Sequence, residues 1–488
     1  MNRPLVANAM LLSLGLLTAC VSVGPNYHRP AVETPPTFKE AQGWKVAEPR
    51  DTQARGNWWD IYNDATLDGL LRQVQVSNQN VVVAEARYRQ AMALVGTARA
   101  SYFPTLSAGV STTRSSNSVP TVGGSTAGPT TSVSRTNTFD RASLTTSWEL
   151  DVWGRIRRIV ESNRAAAQAS AGDLAAALLS AQTTLAQSYF QLRIVDLDLG
   201  LLERSTDAYG RAVEVTQNRY QAGVAARSDV TQAETQLETA RAQLLDLGIE
   251  RATLEHAIAV LIGKPPAAVS IARTDQIPAL PEIPPALPSE LLERRPDVAA
   301  AERRVAAANA QIGVARAAYF PTLTLAGTGG YQSSTTPQGT PPSFSRLFEL
   351  PNRFWSVGPS LAETLFDAGA RKYQEAQAIA VYDQDVASYR QTVLTAFQDV
   401  EDNLVSLKVL EKEALAERAA ADAAGETLRI TENQYKAGTV DYLNVVSAQN
   451  ASLTAERAFR DITNRSLSAS VGLLKALGGG WNTGALPQ

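Results

Sequence analysis

Few side chains in this chain of 488 residues could carry out covalent, metal-dependent or acid–base chemistry. The sequence contains one cysteine, Cys20, and two histidines, His28 and His256. A single cysteine excludes a disulfide framework, and with two histidines it excludes most zinc and iron–sulfur sites. The sequence has no Gly-x-Ser-x-Gly motif, and Gly263-Lys264-Pro265 is not a phosphate-binding loop, because proline stands where Ser or Thr should hold Mg²⁺. We therefore predict that the protein is not an enzyme and binds no metal.

The charge balance gives no reason to expect a nucleic-acid partner. The chain has 45 basic and 48 acidic residues, which is a formal net charge of −3 at pH 7. A mildly acidic chain has no global basic field that would attract a polyanion. His256 lies in a segment rich in Ala and Leu, which is typical of a packed or surface histidine.

The beginning of the chain gives Cys20 a chemical role. Arg3 is the only charged residue among the first twenty-five, and a short apolar run follows it up to Leu17. This pattern is typical of a secretory signal peptide, and the run is too short to span a bilayer. The ending Leu17-Thr18-Ala19-Cys20 resembles a bacterial lipobox, in which the cysteine is acylated and becomes the mature N-terminus. We predict a signal peptide over 1–19 and a lipidated N-terminal extension over 20–58. The alternative is an ordinary signal peptide with an incidental cysteine.

The rest of the chain is duplicated. VGTARASYFPTL at 95–106 returns as IGVARAAYFPTL at 312–323, and NRYQAG at 218–223 returns as NQYKAG at 433–438. Such self-similarity at a fixed offset indicates two copies of one structural unit. It predicts a first repeat over 59–262 and a second over 289–477. A proline-rich linker over 263–288 separates them, and a tail over 478–488 follows.

Each repeat begins with a helical segment, about 62–100 and 289–318, that ends at a Tyr-Phe-Pro motif. Alternating apolar and small polar residues then predict ten-residue strands, in hairpins over about 102–150 and 320–366. This length and alternation are typical of transmembrane barrel strands. The alternative is a half-buried hairpin in a soluble domain. Four strands cannot close a pore alone, so the membrane interpretation requires an oligomer.

Long helices complete each repeat, over about 155–262 and 369–477. Proline-free stretches of about 67 residues predict rods about 100 Å long, and apolar residues at 4-3-4-3 spacing predict a coiled-coil seam. Each rod turns at a glycine, Gly223 or Gly438, which can adopt the left-handed conformation that ends a helix. A return helix follows in both repeats.

Together these pieces resemble the TolC-like outer-membrane factors, and more closely the lipoprotein branch, NodT-like and associated with RND-type pumps. The resemblance covers essentially the whole mature chain. The motifs that carry it are Val23-Gly-Pro-Asn-Tyr27, Leu291-Leu-Glu-Arg-Arg-Pro-Asp-Val298, Ile312-Gly-Val-Ala-Arg-Ala-Ala-Tyr-Phe-Pro321, and the Tyr-x-Ala-Gly turns at Tyr220 and Tyr435.

The resemblance implies a mainly α fold with a β-barrel part: duplicated β-hairpins and long antiparallel coiled-coil helices. Three chains would form a twelve-stranded barrel in the outer membrane of a Gram-negative bacterium, continued by an α-helical periplasmic tunnel. This homotrimer would be the passive exit duct of a tripartite efflux system, with a periplasmic adaptor and an inner-membrane pump, expected to be of RND type. It would be held in outer-membrane lipid by a covalent lipid on Cys20, with no other cofactor. The alternatives are a protein-secretion duct of the same fold and a coiled-coil envelope lipoprotein without a pore.

The resemblance also implies a narrow periplasmic gate and adaptor docking near the helix turns. The candidate gate residues are Arg227, Asp229, Asp441, Leu443, Asn444 and Ser447, and the candidate docking residues are Tyr220, Gly223, Tyr435 and Gly438. Many relatives have Asp where Ser447 stands and some where Asn444 stands, so a strong acidic ring at those positions is in doubt. Asp441 could supply a carboxylate ring that attracts cations, or it could cap the return helix.

Overall fold

The computed structural model describes residues 22–41, 57–120, 132–276, 279–281, 294–335, 342, 344–481 and 486. Cys20, the predicted acylation site, lies outside the described residues. The chain divides into two compact units, each assembled from three stretches. The first unit consists of Met1–Arg29, Gln90–Ala167 and Arg304–Asp385. The second unit consists of Pro30–Arg89, Gln168–Arg303 and Val386–Gln488.

A four-stranded antiparallel sheet forms the strand part of the first unit. Its strands are β1 (Thr105–Pro120), β2 (Ser132–Leu150), β3 (Thr322–Ser334) and β4 (Arg353–Ala362). Their order across the sheet is the order along the chain, so β1 and β4 are the edges. The pair β1–β2 is the hairpin of the first repeat, the pair β3–β4 is the hairpin of the second, and the pairing of β2 with β3 joins them.

The two faces of this sheet differ in chemistry. Leu106 lies opposite Thr146, Ala108 opposite Leu144 and Val110 opposite Ala142. The same face continues on β4 with Trp355, Val357 and Leu361, which are 76%, 72% and 69% exposed. The other face carries mainly Ser, Thr and Gly. Alternation along a strand sends successive side chains to opposite faces, so the sheet has one apolar and one hydroxyl-rich side.

The described residues form seven α-helices: α1 (Ala65–Ser77), α2 (Gln79–Ala100), α3 (Arg155–Gln221), α4 (Arg227–Leu261), α5 (Pro296–Ala317), α6 (Ala370–Lys436) and α7 (Tyr442–Ala476). The duplication is visible in their lengths, because α3 and α6 each have 67 residues and α4 and α7 each have 35. Within the described ranges, no helix combines the length and apolar character needed to cross a membrane.

Aromatic side chains join strand to helix in the first unit. The Trp153 indole donates to the Pro321 carbonyl at 2.8 Å, and its ring stacks on Phe320 with centroids 4.8 Å apart. The Trp148 indole donates to the Tyr102 carbonyl at 2.9 Å. These bonds fall at the two Tyr-Phe-Pro motifs, where proline disfavours helix in the preceding residue and the chain changes to strand. The duplicated motif therefore positions both hairpins against the helices.

The start of α3 is capped by a side chain at the end of β2. The Asp151 carboxylate accepts the N–H groups of Ile156 and Arg157 at 2.8 and 2.9 Å. In the second repeat the Asp367 carboxylate accepts the N–H groups of Gly369 and Arg371 at 3.0 and 3.2 Å. A carboxylate at a helix N-terminus satisfies donors that have no partner within the helix and is favoured by the helix dipole.

The motif Val23-Gly-Pro-Asn-Tyr27 is held in the first unit by hydrogen bonds from side chains of α3 and α5. Arg158 donates to the carbonyls of Val23 and Gly24 at 3.1 and 3.2 Å, and Asn309 donates to the Pro25 carbonyl at 3.1 Å. Gly24 has φ +100°, and a Cβ there would lie 2.4 Å from the Cα of Gly313. Gly24 therefore allows this segment to lie against α5, and Gly313 leaves room for the Arg158 side chain that holds it, since a Cβ there would lie 2.9 Å from that side chain.

One expectation about the helices is wrong. The pattern predicted a single helical segment over about 62–100, but α1 ends at Ser77 and α2 begins at Gln79. The Asn78 side chain accepts the N–H groups of Asn80 and Val81 at 3.0 and 3.1 Å and donates to the Leu261 carbonyl at 2.7 Å. Asn78 therefore starts a second helix and ties it to the end of α4.

The second unit has its largest apolar core where α1, α3, α4 and α7 meet. The fully buried residues there include Leu67, Leu71, Leu185, Tyr189, Phe190, Leu192, Ile258, Ile262, Leu467 and Val471. The predicted seam of α6 is buried throughout, with Val393, Val400 and Leu404 at 0% exposure. The apolar repeat therefore serves packing in both long helices.

The motif Arg295-Pro-Asp297 is a buried electrostatic junction in the second unit. Arg295 is 8% exposed and donates to both Asp297 oxygens at 3.0 and 2.7 Å and to Asp399 of α6 at 2.9 Å. Burial tends to raise the pKa of Asp297, but the hydrogen bonds and charge of Arg295 prevail and lower it below its ordinary value. Removing the guanidinium leaves two carboxylates without their counter-charge.

We predict that Arg295→Gln lowers the free energy of unfolding of the assembled protein by about 2 kcal/mol, because charge-assisted hydrogen bonds are lost. Because the folded-state pKa of Asp297 is lowered, its contribution is full above its ordinary pKa and is lost as the pH falls through the folded value. The difference between wild type and variant should therefore shrink below about pH 4.

The measurement is chemical unfolding of the detergent-solubilised protein at pH 7 and at pH 3.5. Arg273→Gln is the matched control, because its ion pair with Glu203 is about half exposed and should contribute under about 1 kcal/mol. If the Arg295→Gln variant is no less stable than the Arg273→Gln control at pH 7, the Arg295 junction does not stabilise the protein as predicted.

Candidate functional site: the two helix turns

Both predicted turns lie in the second unit and share one backbone geometry. Gly223 and Gly438 have φ of +74° and +75°. In the first turn the N–H groups of Gly223 and Val224 donate to the carbonyls of Tyr220 and Arg219, each at 2.9 Å. In the second, Gly438 and Thr439 make the equivalent bonds at 3.0 Å. This paired bonding through a left-handed glycine is the Schellman ending of a helix.

The two tyrosines of the repeated turn motif are in different surroundings. Tyr220 is 42% exposed, whereas Tyr435 is 7% exposed. Tyr435 packs edge-on against Tyr442, with ring centroids 5.3 Å apart, in a cluster that includes Val445 and Val446. Tyr442 stands at the position that Arg227 occupies in the first repeat, so only the second turn has an aromatic partner to cover its tyrosine.

Arg219, a residue that sequence reasoning missed, connects the two turns within one chain. Its Nη1 donates to the Tyr435 carbonyl at 2.9 Å, and its guanidinium lies 4.6 Å from the centre of the Tyr435 ring. An arginine at the end of one helix thus satisfies a carbonyl at the end of the other and adds a cation–π contact. A comparison of the two repeats could have drawn attention to Arg219, because the equivalent residue in the second repeat is Gln434.

The structure places four predicted gate residues together on the exposed side of the first turns of α7. Asp441, Leu443, Asn444 and Ser447 are exposed there, while Tyr442, Val445 and Val446 face the packed side. Leu443 is 60% exposed. The Ser447 hydroxyl donates to the Leu443 carbonyl at 2.9 Å, so its hydrogen is already used within the helix.

Of the two roles left open for Asp441, side-chain capping is not found. Asp441 occupies the N-cap position of α7, with φ −78° and ψ 157°, but its carboxylate accepts no N–H of the helix. The Asn444 N–H donates instead to the backbone carbonyl of Asp441, at 3.1 Å. The carboxylate is therefore exposed and available to other groups.

The remaining gate candidates, Arg227 and Asp229, belong to the first turn. Arg227 is exposed and begins α4, and Asp229 is half-buried in the first turn of that helix. The Ser228 hydroxyl lies 3.5 Å from the Asp229 carboxylate. Across the described residues, no hydrogen bond or ion pair joins Arg227 or Asp229 to the group on α7. A single chain thus does not bring the two halves of the predicted gate set into contact.

The packed side of the second turn contains polar atoms without partners. Within the described part of the chain, the hydroxyls of Tyr435 and Tyr442, Nε of Arg219 and Oε1 of Gln449 are buried and make no hydrogen bond. Burial raises the pKa of Tyr442 to about 12, with smaller contributions from Tyr435, Tyr209 and Glu432. Each unsatisfied buried polar group costs about 1–3 kcal/mol, so this packing is less stable than its apolar contacts alone would make it.

No metal cluster accompanies these turns. Among the residues that the structure describes, no three His, Cys, Asp or Glu side chains are grouped so that they could hold a metal ion. The chemistry that the turns offer is electrostatic and steric: an exposed carboxylate, an exposed leucine and an arginine that links two helix ends.

Comparison with known proteins identifies the architecture. The family model for outer membrane efflux proteins matches residues 70–264 and 287–479. The outer membrane protein OprJ of Pseudomonas aeruginosa is 30% identical over 486 residues, which cover 99% of this chain and 98% of OprJ. The probable outer membrane lipoprotein SilC of Salmonella typhimurium is 27% identical over 469 residues, which cover 96% of this chain and 97% of SilC.

A solved structure shares the fold. The structure of the outer-membrane channel OprN superposes with a TM-score of 0.84 at 29% identity, over 94% of this chain and all of that one. This agreement confirms the predicted fold class, with duplicated hairpins and long helices in a channel of the TolC-like type. The family model covers most of the chain, and the match to OprJ runs over nearly the full length of both proteins. The chain therefore belongs to the outer membrane efflux protein family and is an outer-membrane channel component of an efflux system.

Proposed function

We propose that this chain is the passive exit duct through which an inner-membrane pump, of RND type, discharges drugs or other small molecules. The channel is a homotrimer and works with a periplasmic adaptor and an inner-membrane pump. The pump supplies the energy for transport, so the duct needs no catalytic site of its own. The observation that carries the proposal is the sheet, which has one apolar and one hydroxyl-rich face and is followed by helices of 67 residues.

The sheet supports a shared barrel rather than a barrel of one chain. Its four strands are too few to enclose a pore, since membrane barrels have at least about eight. Three chains supply twelve strands. The exposed face with Trp355, Val357 and Leu361 suits lipid, and the face with Ser107, Thr145 and Thr328 suits a water-filled lumen.

The turns of the second unit support an entrance at the periplasmic end of the tunnel. The trimer repeats the exposed Asp441 three times around its axis, which makes a carboxylate ring that attracts cations. Leu443 adds an apolar ring at the same level of α7. Unsatisfied polar atoms around Tyr435 and Tyr442 lower the stability of this packing by about a few kcal/mol. The packing is therefore a favourable place for movement when the pump engages.

The first turn is the better candidate for adaptor docking. Tyr220 is 42% exposed and Val224 is 65% exposed, so an aromatic and an aliphatic side chain are presented beside Gly223. At the second turn the Tyr435 ring is buried, and the exposed residues around Gly438 are Lys436, Ala437 and Thr439. We propose that the adaptor contacts the first turn through Tyr220 and the second through Gly438 and the exposed residues beside it, without the Tyr435 ring.

The lipid anchor remains a proposal on Cys20. It is supported by the lipobox-like ending at Cys20 and by the name of SilC, a probable outer membrane lipoprotein that aligns over nearly its full length. Two or more acyl chains on one residue suffice for stable anchoring, at about 0.8 kcal/mol per buried CH₂.

The proposed duct makes a direct prediction. Purified protein in detergent should sediment as a trimer and should conduct ions when it is inserted into a planar bilayer. Analytical ultracentrifugation gives the first measurement and single-channel recording the second. A monomer that never conducts would refute the duct.

We predict that Asp441→Asn reduces the preference of the channel for cations. The K⁺/Cl⁻ permeability ratio should fall roughly twofold at 0.1 M salt, because three fixed negative charges are lost where the Debye length is about 10 Å. The measurement is the reversal potential across a KCl gradient. Asp207→Asn, which removes an exposed carboxylate from α3, is the control and should leave the ratio unchanged. An unaltered ratio in Asp441→Asn would remove Asp441 from the entrance.

We predict that cells grown with a labelled fatty acid label the wild-type protein and do not label Cys20→Ala. Val21→Ala, beside the acylated residue, should retain the label. The Cys20→Ala protein should still assemble, because the barrel itself holds the trimer in the membrane. Label in the Cys20→Ala protein would place the acyl chain elsewhere.

A further inference from the structure

The hydroxyl-rich face of the sheet has few large side chains. Its described side chains on the four strands are Ser, Thr, Gly or Ala, with the exceptions of Asn137, Phe139, Arg141, Glu149, Gln332 and Phe354. Short hydroxyl side chains make a wide, weakly binding surface. The exceptions are therefore the places where this face could recognise a solute.

Two of these exceptions carry a full charge, and only one of the charges is neutralised. Glu149 accepts two hydrogen bonds from Arg155, at 2.8 and 2.6 Å. Arg141 has no carboxylate partner among the described residues, and its Nε is buried without a hydrogen bond. On the face assigned to the water-filled lumen, an arginine without a carboxylate partner presents its positive charge to passing solutes, which makes it a candidate functional residue.

Arg141 is held by an aromatic ring instead. Its guanidinium lies 4.6 Å from the centre of the Phe354 ring, on the same face of the sheet. β3 lies between β2, which carries Arg141, and β4, which carries Phe354. Arg141 is opposite Gln332 on β3, and Phe354 is opposite Gly330, which has no side chain. Phe139, two residues before Arg141 on β2, shares the face. Because Nε is buried, the edge formed by the two Nη groups and the side away from the Phe354 ring are the parts of the guanidinium left to bind an anion.

Phe354 lies at the end of β4 that is farther from the helices, whereas Arg141 lies at the middle of β2. β4 begins at Arg353, next to Phe354, and runs to Ala362 before α6 starts. β2 runs from Ser132 through Arg141 to Leu150 before α3 starts. The helix-distal end is the outer end of the barrel, so a solute meets Arg141 and Phe354 partway along the barrel, before it reaches the outer end of the β1–β2 hairpin.

We propose that Arg141 and Phe354 of the three chains form an anion-binding ring in the lumen, which receives small aromatic carboxylates and sulfonates. The proposal rests on the proposed trimeric duct. The guanidinium edge binds the acid group through paired N–H donors, and Phe354 with Phe139 offers apolar surface to the aromatic part. Such a ring binds weakly and in three copies, which lets an anionic solute enter and leave.

The dimensions allow this ring to act across the whole lumen. Twelve strands about 4.8 Å apart and tilted by about 40° enclose a barrel roughly 24 Å in diameter between Cα atoms. Arginine side chains from three sides leave an opening of roughly half that width. The Debye length is about 10 Å at 0.1 M salt and about 3 Å at 1 M, so the three charges govern the lumen at low salt and are screened at high salt.

The first test is equilibrium dialysis of the full-length protein in detergent against 2-naphthalenesulfonate at 0.05 M salt. Wild type should bind the sulfonate, and Arg141→Gln should bind it at least about fivefold more weakly, because a charge-assisted pair is lost. Phe354→Leu keeps the charge and should weaken binding about threefold. Arg114→Gln is the matched control, since it removes an exposed arginine of the same hairpin from the opposite face.

The second test measures ion selectivity in the Asp441→Asn background, where the entrance carboxylates are absent. Arg141→Gln should lower the Cl⁻/K⁺ permeability ratio at least about twofold at 0.1 M salt, and the difference should vanish at 1 M. Arg141→Lys keeps the charge and should keep the ratio while losing affinity for the sulfonate. If Arg141→Gln does not assemble, the loss of sulfonate affinity in Arg141→Lys still tests the ring.

The outcomes separate the ring from the duct. Sulfonate binding that is equal in wild type, Arg141→Gln and Arg114→Gln overturns the ring even if the channel conducts. Binding that is lost only in the Arg141 and Phe354 variants supports the ring even if no current is recorded, and the missing current then counts against the duct alone.

Discussion

The edges of the sheet impose the constraint on which the rest of the assembly depends. β1 and β4 each pair on one side only, so one chain leaves two rows of backbone N–H and C=O groups without partners. In hydrocarbon every such group must be satisfied, which is why only helices and closed barrels span membranes. The edge β1 of one chain must therefore pair with β4 of the next. Closure also explains why β2 and β3 pair across the repeat boundary, since both hairpins must belong to one continuous sheet.

Duplication supplies two similar arms, and small differences between them give the turns separate tasks. Both turns end in the same glycine geometry, with φ near +75°. Tyr442 in place of Arg227 buries the second tyrosine, whereas Tyr220 in the first turn stays exposed. Arg219 in place of Gln434 then binds the first arm to the second. Movement of one turn must break this contact or carry the other turn with it.

The sequence allowed some of this to be predicted, and the reasons are local. A side-chain period of two identifies both faces of each strand, and a glycine after a proline-free run identifies each turn. The helix break at Asn78 could not be predicted, because its amide donates to a carbonyl 183 residues away. The contact from Arg219 to Tyr435 spans 216 residues, so only the asymmetry between repeats hinted at it. Capping by Asp441 was a reasonable alternative from residue type, but its carboxylate accepts no N–H of the helix.

A duct that serves a pump should not hold its cargo, and the composition of the lumen face follows from that requirement. A deep apolar pocket would bind amphipathic solutes and slow their release, while a strongly charged wall would exclude one sign of ion. Serine, threonine and glycine avoid both effects, and Glu149 is neutralised by Arg155 where it would otherwise charge the wall. Against this background the half-buried guanidinium of Arg141 has a large effect, because among the described side chains of that face no free carboxylate opposes it. The position of Arg141 on a neutral wall, rather than its chemistry alone, makes it able to discriminate among solutes.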